Sequence, residues 1–514
     1  MLYLACLGAR DLWNPNEPTY GLAVREMAER GSWLLPTVNG EPFAEKPPLY
    51  FWLARLAALV AGVNETTLRL PSALAGLLGV IGVYRLAARR STPSRGTTAA
   101  ALYATTYIVY WSARQVQMDL LLSVATLGAV LEGVRALEAP PPAWRSWALC
   151  GAAAGVGILA KGPLGLIAPA LALVPWAFLE RRARALVQPG PLLAGAIALA
   201  IGAPWYLLLW ANGETAALHE LVVRQNLTRF VAAWDHREGW SYYLVRLWID
   251  MAPWVFFLPL AWRLPDRDAD ERRLDRLAWI WLGATLLFFS LSASKRSPYL
   301  LPAAPAVALL VSGVAVRARE GRLGPRRRAL GAVILAALGL DACGTGLALA
   351  VRWLPRLPAL GAAGKLACAL LLGGGACLLA TLALPRTRRA APRVALGLVV
   401  LLYFAAGCVV LPALDEYKSA RGFCAEVLAR VPPERPLRAY GLWRWRGSYA
   451  YYTGRAIPRL ATEDELRRYW EQPEPVFLIV ERPGLERVTA ALGPQSPLVS
   501  RAIGDGTAFL LSNQ

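Results

Sequence analysis

Five stretches of the chain set ionisable side chains against apolar sequence, where a charge is costly unless something uses it. FAEKPPLY carries Glu45 and Lys46 ahead of two prolines, and a residue before proline is confined to extended backbone. An acid and an ammonium fixed side by side can grip an anion with the lysine while the glutamate meets a hydroxyl or a metal; a plain surface ion pair would use the same residues. Asp119 opens an apolar run directly after WSARQVQM. Its carboxylate sits at a helix mouth, a position the helix dipole alone would also favour. Lys161, in ILAKGPLGL, lies between two apolar segments, where an unpaired ammonium is expensive and a partner anion is expected. LTRFVAAWDHREGWSYY supplies Arg229 and His236, and SASKRSPYLLP supplies Lys295, Arg296 and Tyr299. Such a ring of Lys and Arg, with few acids and many aromatics, suits a substrate with a phosphate head and a long apolar tail.

The elements that must hold these residues are membrane helices. Of 514 residues, 56% are apolar and only 18% are charged, a balance that argues against an ordinary soluble protein. Windows of about 20 apolar residues, the length that crosses hydrocarbon, fall near 67–88, 98–113, 119–136, 145–160, 163–180, 190–211, 248–264, 276–293, 299–316, 329–353, 360–384 and 393–412. Residues 1–8 read as the tail of a truncated first helix, which makes about thirteen spans. Arg-rich loops occur at 85–95, 181–184, 263–276, 317–328 and 386–393. All five share the cytoplasmic face if 48–63 lies in the interface instead of crossing. Most of the formal +20 is then topology read by anionic lipid, and nucleic-acid binding is excluded as a partner class. The mixed acidic, basic and aromatic loops fall on the outer face; 9–66 is the first long one and 212–247 the second.

After about residue 412 the character changes. VPPERPLRAYGLW reads as a turn and a strand, ATEDELRRYWEQ as a capped amphipathic helix, PVFLIVER as a buried strand and DGTAFLLS as a terminal strand. The domain reading is a helical membrane body over 1–412 and a soluble α/β domain over 413–514. Seven scattered cysteines with no CxxC pair suggest no disulfide framework, and two histidines exclude a multi-histidine metal site.

RDLWNPNEPTYGLAVREM, NGEPFAEKPPLYFW, RLPSALAGLL, the Arg114 and Asp119 pair, AKGP and SKRSPYLLP occur in that order over about residues 9–310. As a set they resemble the membrane glycosyltransferases of the GT-C fold, in the bacterial branch of aminoarabinose transferases and protein mannosyltransferases. The resemblance implies an all-α polytopic body and inverting transfer of a hexosyl or pentosyl group from a polyprenyl (undecaprenyl) phosphate donor. The acceptor would be lipid A, another envelope molecule or a protein, on the periplasmic face of the bacterial inner membrane. Carried over by position, Lys46 and Lys161 resemble phosphate-binding lysines, and Arg229, Lys295 and Tyr299 resemble the lining of the donor phosphate cavity. Glu45 and Asp119 resemble a carboxylate pair that in some members holds a divalent cation, zinc or magnesium. One departure stands out: where the family reads Asp-Glu followed by Arg-Tyr, this chain has Asn16, Glu17, Thr19 and Tyr20. Asn16 can orient a substrate but cannot take a proton. Either Glu17 or Asp119 serves as base, or the acceptor arrives as an anion and needs none, or this member is catalytically impaired. A transporter or flippase for a lipid-linked anion is the rival class, against which the absence of paired halves counts.

Overall fold

The computed structural model describes every residue except Ala233, 265–267 and 443–446. Part of the expected 263–276 basic loop and the end of the GLW strand reading therefore lie outside the described residues. The chain divides into two compact units. One comprises residues 1–5, 44–50 and 69–406, the other 6–43, 51–68 and 407–514. The C-terminal segment thus groups with most of the first long loop, a partition that a boundary at 412 does not capture.

The first unit is helical. Among the described residues eight helices are long and apolar enough to cross a membrane: Glu65–Arg90, Asp119–Glu138, Pro189–Ala211, Ala269–Leu291, Ser297–Arg319, Pro325–Arg356, Pro358–Ala383 and Arg388–Ala413. The chain is a multi-pass membrane protein. Of the thirteen expected spans, these eight, or nine with a bent pair, have the length and composition of a crossing helix, and the others differ for local reasons. The 98–113 segment breaks between Pro93–Ala104 and Tyr107–Ala113, where the Thr105 and Thr106 hydroxyls donate back to Ala101 O (2.6 Å) and Leu102 O (2.8 Å). The 248–264 segment is a pair, Tyr242–Asp250 and Trp254–Ala261, bent by 111° at a break holding Pro253, which has no N–H to continue a helix. Trp144–Lys161 carries Arg145 and Lys161 at its ends, and Leu164–Leu179 is a shorter apolar helix. Residues 2–8 form turns, Ala5 N–H meeting Met1 O at 2.9 Å, instead of the helix tail expected. The 48–63 segment is the helix Leu49–Ala61, at about 1.5 Å per residue too short to cross.

The second unit is α/β. The hairpin β1 (Thr37–Val38) and β2 (Glu41–Pro42) turns on Asn39 and Gly40, both at positive φ, the preference of Asn-Gly turns. The remaining strands are β3 (Leu437–Tyr440), β4 (Arg459–Leu460), β5 (Phe477–Glu481), β6 (Val499–Ile503) and β7 (Gly506–Ser512). They form one mixed sheet in the order β4-β3-β5-β7-β6, parallel across β4-β3-β5 and antiparallel across β5-β7-β6. Every residue of β5 is buried, as its continuous apolar run predicts. The helix Glu463–Trp470 starts with a reciprocal cap: Thr462 Oγ1 accepts from Glu465 N–H, and Glu465 accepts from Ala461 N–H at 2.7 Å. Cys6 and Cys408 form a disulfide, with Cα atoms 5.1 Å apart and 402 residues between them in sequence. This corrects the expectation of no disulfide, since a pair so distant leaves no spacing to read.

Candidate active site

Lys46, Asp119, Lys161, Arg229, Arg296 and Tyr299 gather at one end of the first unit's helices. Asp119 begins the helix Asp119–Glu138, Lys161 ends Trp144–Lys161, and residues 292–299 follow Ala269–Leu291 and lead into the helix ending at Arg319. The basic tract at 317–328 lies at the opposite end of the helix ending at Arg319, and that at 181–184 follows Leu164–Leu179, whose other end adjoins Lys161.

Local chemistry fixes each side chain. Gly162, at φ 65° and ψ −143°, ends the helix immediately after Lys161, a conformation that essentially only glycine adopts. A Cβ there would come to 3.5 Å from Asn226 Oδ1. The Lys161 ammonium meets the Asp119 carboxylate and lies 4.4 Å from the Tyr299 ring centroid. This is the anion that burying Lys161 demanded. Tyr299 is brought to Asp119 by the 297–303 turn, where Leu301 O accepts from Ser123 Oγ at 2.9 Å. The Glu45–Lys46 segment is tied through Tyr50, whose hydroxyl donates to Gln115 O at 3.4 Å and accepts from Ser72 Oγ at 3.1 Å. Ser72 Oγ also lies 3.0 Å from Gln117 O, just before Asp119, so its single proton is shared between the two oxygens.

Arg229 is buried. Its Nη2 donates to both Asp235 oxygens (3.0 and 2.8 Å), its Nη1 to Gln225 Oε1 (3.0 Å) and its Nε to Ser294 Oγ (3.3 Å). The second long loop is stitched to residues 293–296 by Ala293 N–H to Phe230 O (2.8 Å), Lys295 N–H to His236 O (3.0 Å) and an antiparallel bridge between Arg237 and Ser294. His236 is exposed; what burial it has, and then Arg296, push its imidazole below the ordinary value against the pull of Asp235.

Among the described residues Lys46 makes no hydrogen bond or ion pair, whereas Lys161 and Arg229 each have a carboxylate of their own. Burial lowers its ammonium to about 8; Glu45 opposes the shift, and Arg229, Lys161 and Arg296 add to it. Arg296 also lies within electrostatic reach of Asp119.

Two groups of expected site residues fall elsewhere. Lys295 is buried and turns its ammonium onto Ser292 O (2.5 Å) at the end of the preceding helix. It adjoins Arg296, a residue whose part in the cluster sequence reading understated. Asn16 and Glu17 belong to the second unit. Asn16 starts the helix Asn16–Glu29, and Glu17 is buried against Arg10 (2.8 Å) and the Trp13 N–H (3.1 Å). A divalent cation needs several oxygen or nitrogen ligands at once. Among the described residues no three His, Cys, Asp or Glu side chains converge, and an Asp119 oxygen already takes the Lys161 ammonium. Glu45 and Asp119 do not fit a metal site in this arrangement.

A polytopic helical body with a cationic rim at one membrane end, together with a small mixed-sheet unit, defines the GT-C class of membrane proteins. The crystal structure of ArnT from Cupriavidus metallidurans bound to undecaprenyl phosphate matches with a TM-score of 0.76, covering 100% of this chain and 96% of that one at 21% identity. Its apo form matches at 0.73 over the same shares, at 22% identity. In sequence, residues 45–210 match the dolichyl-phosphate-mannose-protein mannosyltransferase family. An undecaprenyl phosphate-alpha-4-amino-4-deoxy-L-arabinose arabinosyl transferase of Pectobacterium atrosepticum is 31% identical over 361 residues, 68% of this chain and 64% of that protein. Transferase 1 of the same description from Pseudomonas fluorescens is 30% identical over 329 residues, 63% of this chain and 57% of that protein. These matches span less than two thirds of the length of either relative. The chain has the GT-C fold, and its sequence is similar to the aminoarabinose transferases and, over residues 45–210, to the mannosyltransferase family.

Proposed function

We propose that the chain is a glycosyltransferase that moves a sugar from a polyprenyl phosphate donor to a cell-envelope acceptor such as lipid A, at the periplasmic face of the bacterial inner membrane. The observation that carries this reading is Lys46: a half-buried ammonium with no ion pair among the described residues, ringed by Arg229, Lys161 and Arg296. Such a site is short of one anion, and a lipid phosphate supplies it. The names of the relatives support the donor class. The disulfide Cys6–Cys408 supports an outward-facing second unit, because disulfides persist in oxidising compartments. The soluble domain of residues 413–514 then stands in the periplasm.

In the inverting step, an acceptor oxygen attacks the anomeric carbon as its bond to the donor phosphate oxygen breaks. Polyprenyl phosphate leaves carrying the extra negative charge. Lys46, Lys161 and Arg229 meet that charge as it grows, which lowers the barrier for departure; Lys295 backs the segment beside them, and Tyr299 holds the Lys161 ammonium over its ring. Asp119 orients Lys161, and Glu45 stands beside Lys46 to receive the acceptor. Glu17 Oε2 is taken by Arg10 and the Trp13 N–H, and Asp119 Oδ1 by Lys161, and each of these ion pairs disfavours uptake of a hydroxyl proton by its carboxylate. With Asn16 unable to take one, an acceptor that is already an anion, such as a phosphate of lipid A, fits best and needs no base.

The test is turnover: full-length protein in lipid nanodiscs, given a labelled polyprenyl phosphate sugar and an acceptor, releases free polyprenyl phosphate. Lys46→Ala and Asp119→Asn each slow the release by at least about tenfold. Transport of the intact donor across sealed vesicles without release would establish the transporter reading instead.

A further inference from the structure

Residues 292–299 carry consecutive cations, and the backbone separates their roles. Arg296 is extended (φ −138°, ψ 143°), and successive side chains of an extended backbone point to opposite sides. Lys295 turns inward to Ser292 O. Arg296 lies within electrostatic reach of Lys46, Asp119 and His236.

The backbone at Arg296, whose carbonyl takes the Tyr299 N–H at 3.1 Å in its own turn, is also held by a side chain from another element. Tyr243 has 0% exposure. Its hydroxyl donates to Arg296 O at 3.1 Å and accepts from Arg296 N–H at 3.0 Å, so one phenol satisfies both polar groups of that residue, as a neighbouring strand would. Its ring packs against Phe289, at a centroid distance of 6.3 Å, and Tyr242, at 5.0 Å. At the far end of the same helix, fully buried Asp250 faces Ser297. The peptide carrying Arg296 is thus tied by Tyr243 where the chain passes from the Arg237–Ser294 bridge into the 297–303 turn.

We propose that Arg296 binds the donor phosphate together with Lys46, and that Tyr243 is the positioning residue that aims it. This rests on the reading of the site as one for a polyprenyl phosphate. The two cations are complementary in kind: lysine is a point charge, whereas the planar guanidinium offers paired donors that fix the orientation of a phosphate. A leaving group oriented in this way keeps its breaking bond in line with the incoming oxygen.

The experiment is a double-mutant cycle on binding of undecaprenyl phosphate to the full-length protein in nanodiscs, with the thermal midpoint of each variant measured alongside. Arg296→Gln weakens binding by at least about tenfold, and Tyr243→Phe, which removes the clamp and keeps the ring, by about fivefold. Tyr243→Phe adds nothing on the Arg296→Gln background, because a positioning residue has no effect once its client is gone. Arg296→Lys, which keeps the charge and loses the fork, also weakens binding and serves if the glutamine variant does not fold. Full additivity of the two changes, or wild-type affinity in both Arg296 variants, overturns the inference. If Lys46→Ala abolishes binding while the Arg296 variants bind normally, only this inference falls. If the wild type binds no undecaprenyl phosphate, the functional reading falls with it.

Discussion

The titration of Lys46 yields a measurable pH signature. An ammonium held at about 8 by burial and its cationic neighbours is about three-quarters charged at pH 7.5 and only about 3% charged at pH 9.5. A phosphate monoester, with its second pKa near 6, is already dianionic across that window, so the ligand contributes no titration of its own. If binding needs the charged lysine, apparent affinity for undecaprenyl phosphate falls about 20- to 30-fold between pH 7.5 and 9.5, roughly 1.8–2 kcal/mol. The fall levels off at the affinity of Lys46→Ala, which lacks one charge-assisted contact worth about 1.5–3 kcal/mol. The assay is equilibrium binding in nanodiscs at constant ionic strength. Lys46→Arg is the control, since its guanidinium stays charged throughout and its profile should be flat. For folding the sign runs the other way. A lysine lowered in the folded state opposes folding while it is charged, and that opposition is relieved as pH rises from about 8 toward the ordinary lysine value. Loss of affinity above pH 8 is therefore a loss of binding, not of fold. A wild-type profile that stays level to pH 9.5, or one that Lys46→Arg reproduces, refutes the reasoning.

Two further outcomes follow from pairing. Removing one partner of the Asp119–Lys161 pair, whose side chains are 12% and 13% exposed, strands a buried charge. Lys161→Met alone should cost about 3–5 kcal/mol of stability, while the double variant with Asp119→Asn recovers most of it; thermal melting of the three proteins checks this, and equal losses in the single and double variants would contradict it. Cys150, Cys343, Cys368, Cys377 and Cys424 are the free cysteines, so alkylation of the denatured, unreduced protein should label five thiols, against seven after reduction. Mass spectrometry finding seven before reduction would dismiss the disulfide.

Much of the architecture was legible because it depends on local pattern. Apolar length located the eight long helices, the 48–63 segment forms a shorter apolar helix at Leu49–Ala61, and the T-x-x-E cap and the apolar run of β5 announced the sheet unit. Length alone proposed thirteen spans, where eight helices among the described residues, or nine with the bent pair, are long and apolar enough to cross. It carries no information on where Thr105 and Thr106 hydroxyls turn back on their own helix, or on where Pro253 leaves one without its next donor.

The site was legible by residue type but not by partnership. Sequence shows that Lys46, Lys161, Arg229 and Lys295 are each expensive near a membrane, and it shows this equally for all four. Through-space pairing separates them: Asp119 takes Lys161, Asp235 takes Arg229, and the Ser292 carbonyl takes Lys295. Arg296, which ranked behind its neighbour in the sequence, is held at its backbone by Tyr243 and lies within electrostatic reach of Lys46 and Asp119. Lys46 is left with its cost unmet by the described residues. A cation whose burial the fold does not offset is one whose counter-ion comes from outside, so binding a lipid phosphate completes an electrostatic arrangement that the polypeptide leaves one charge short.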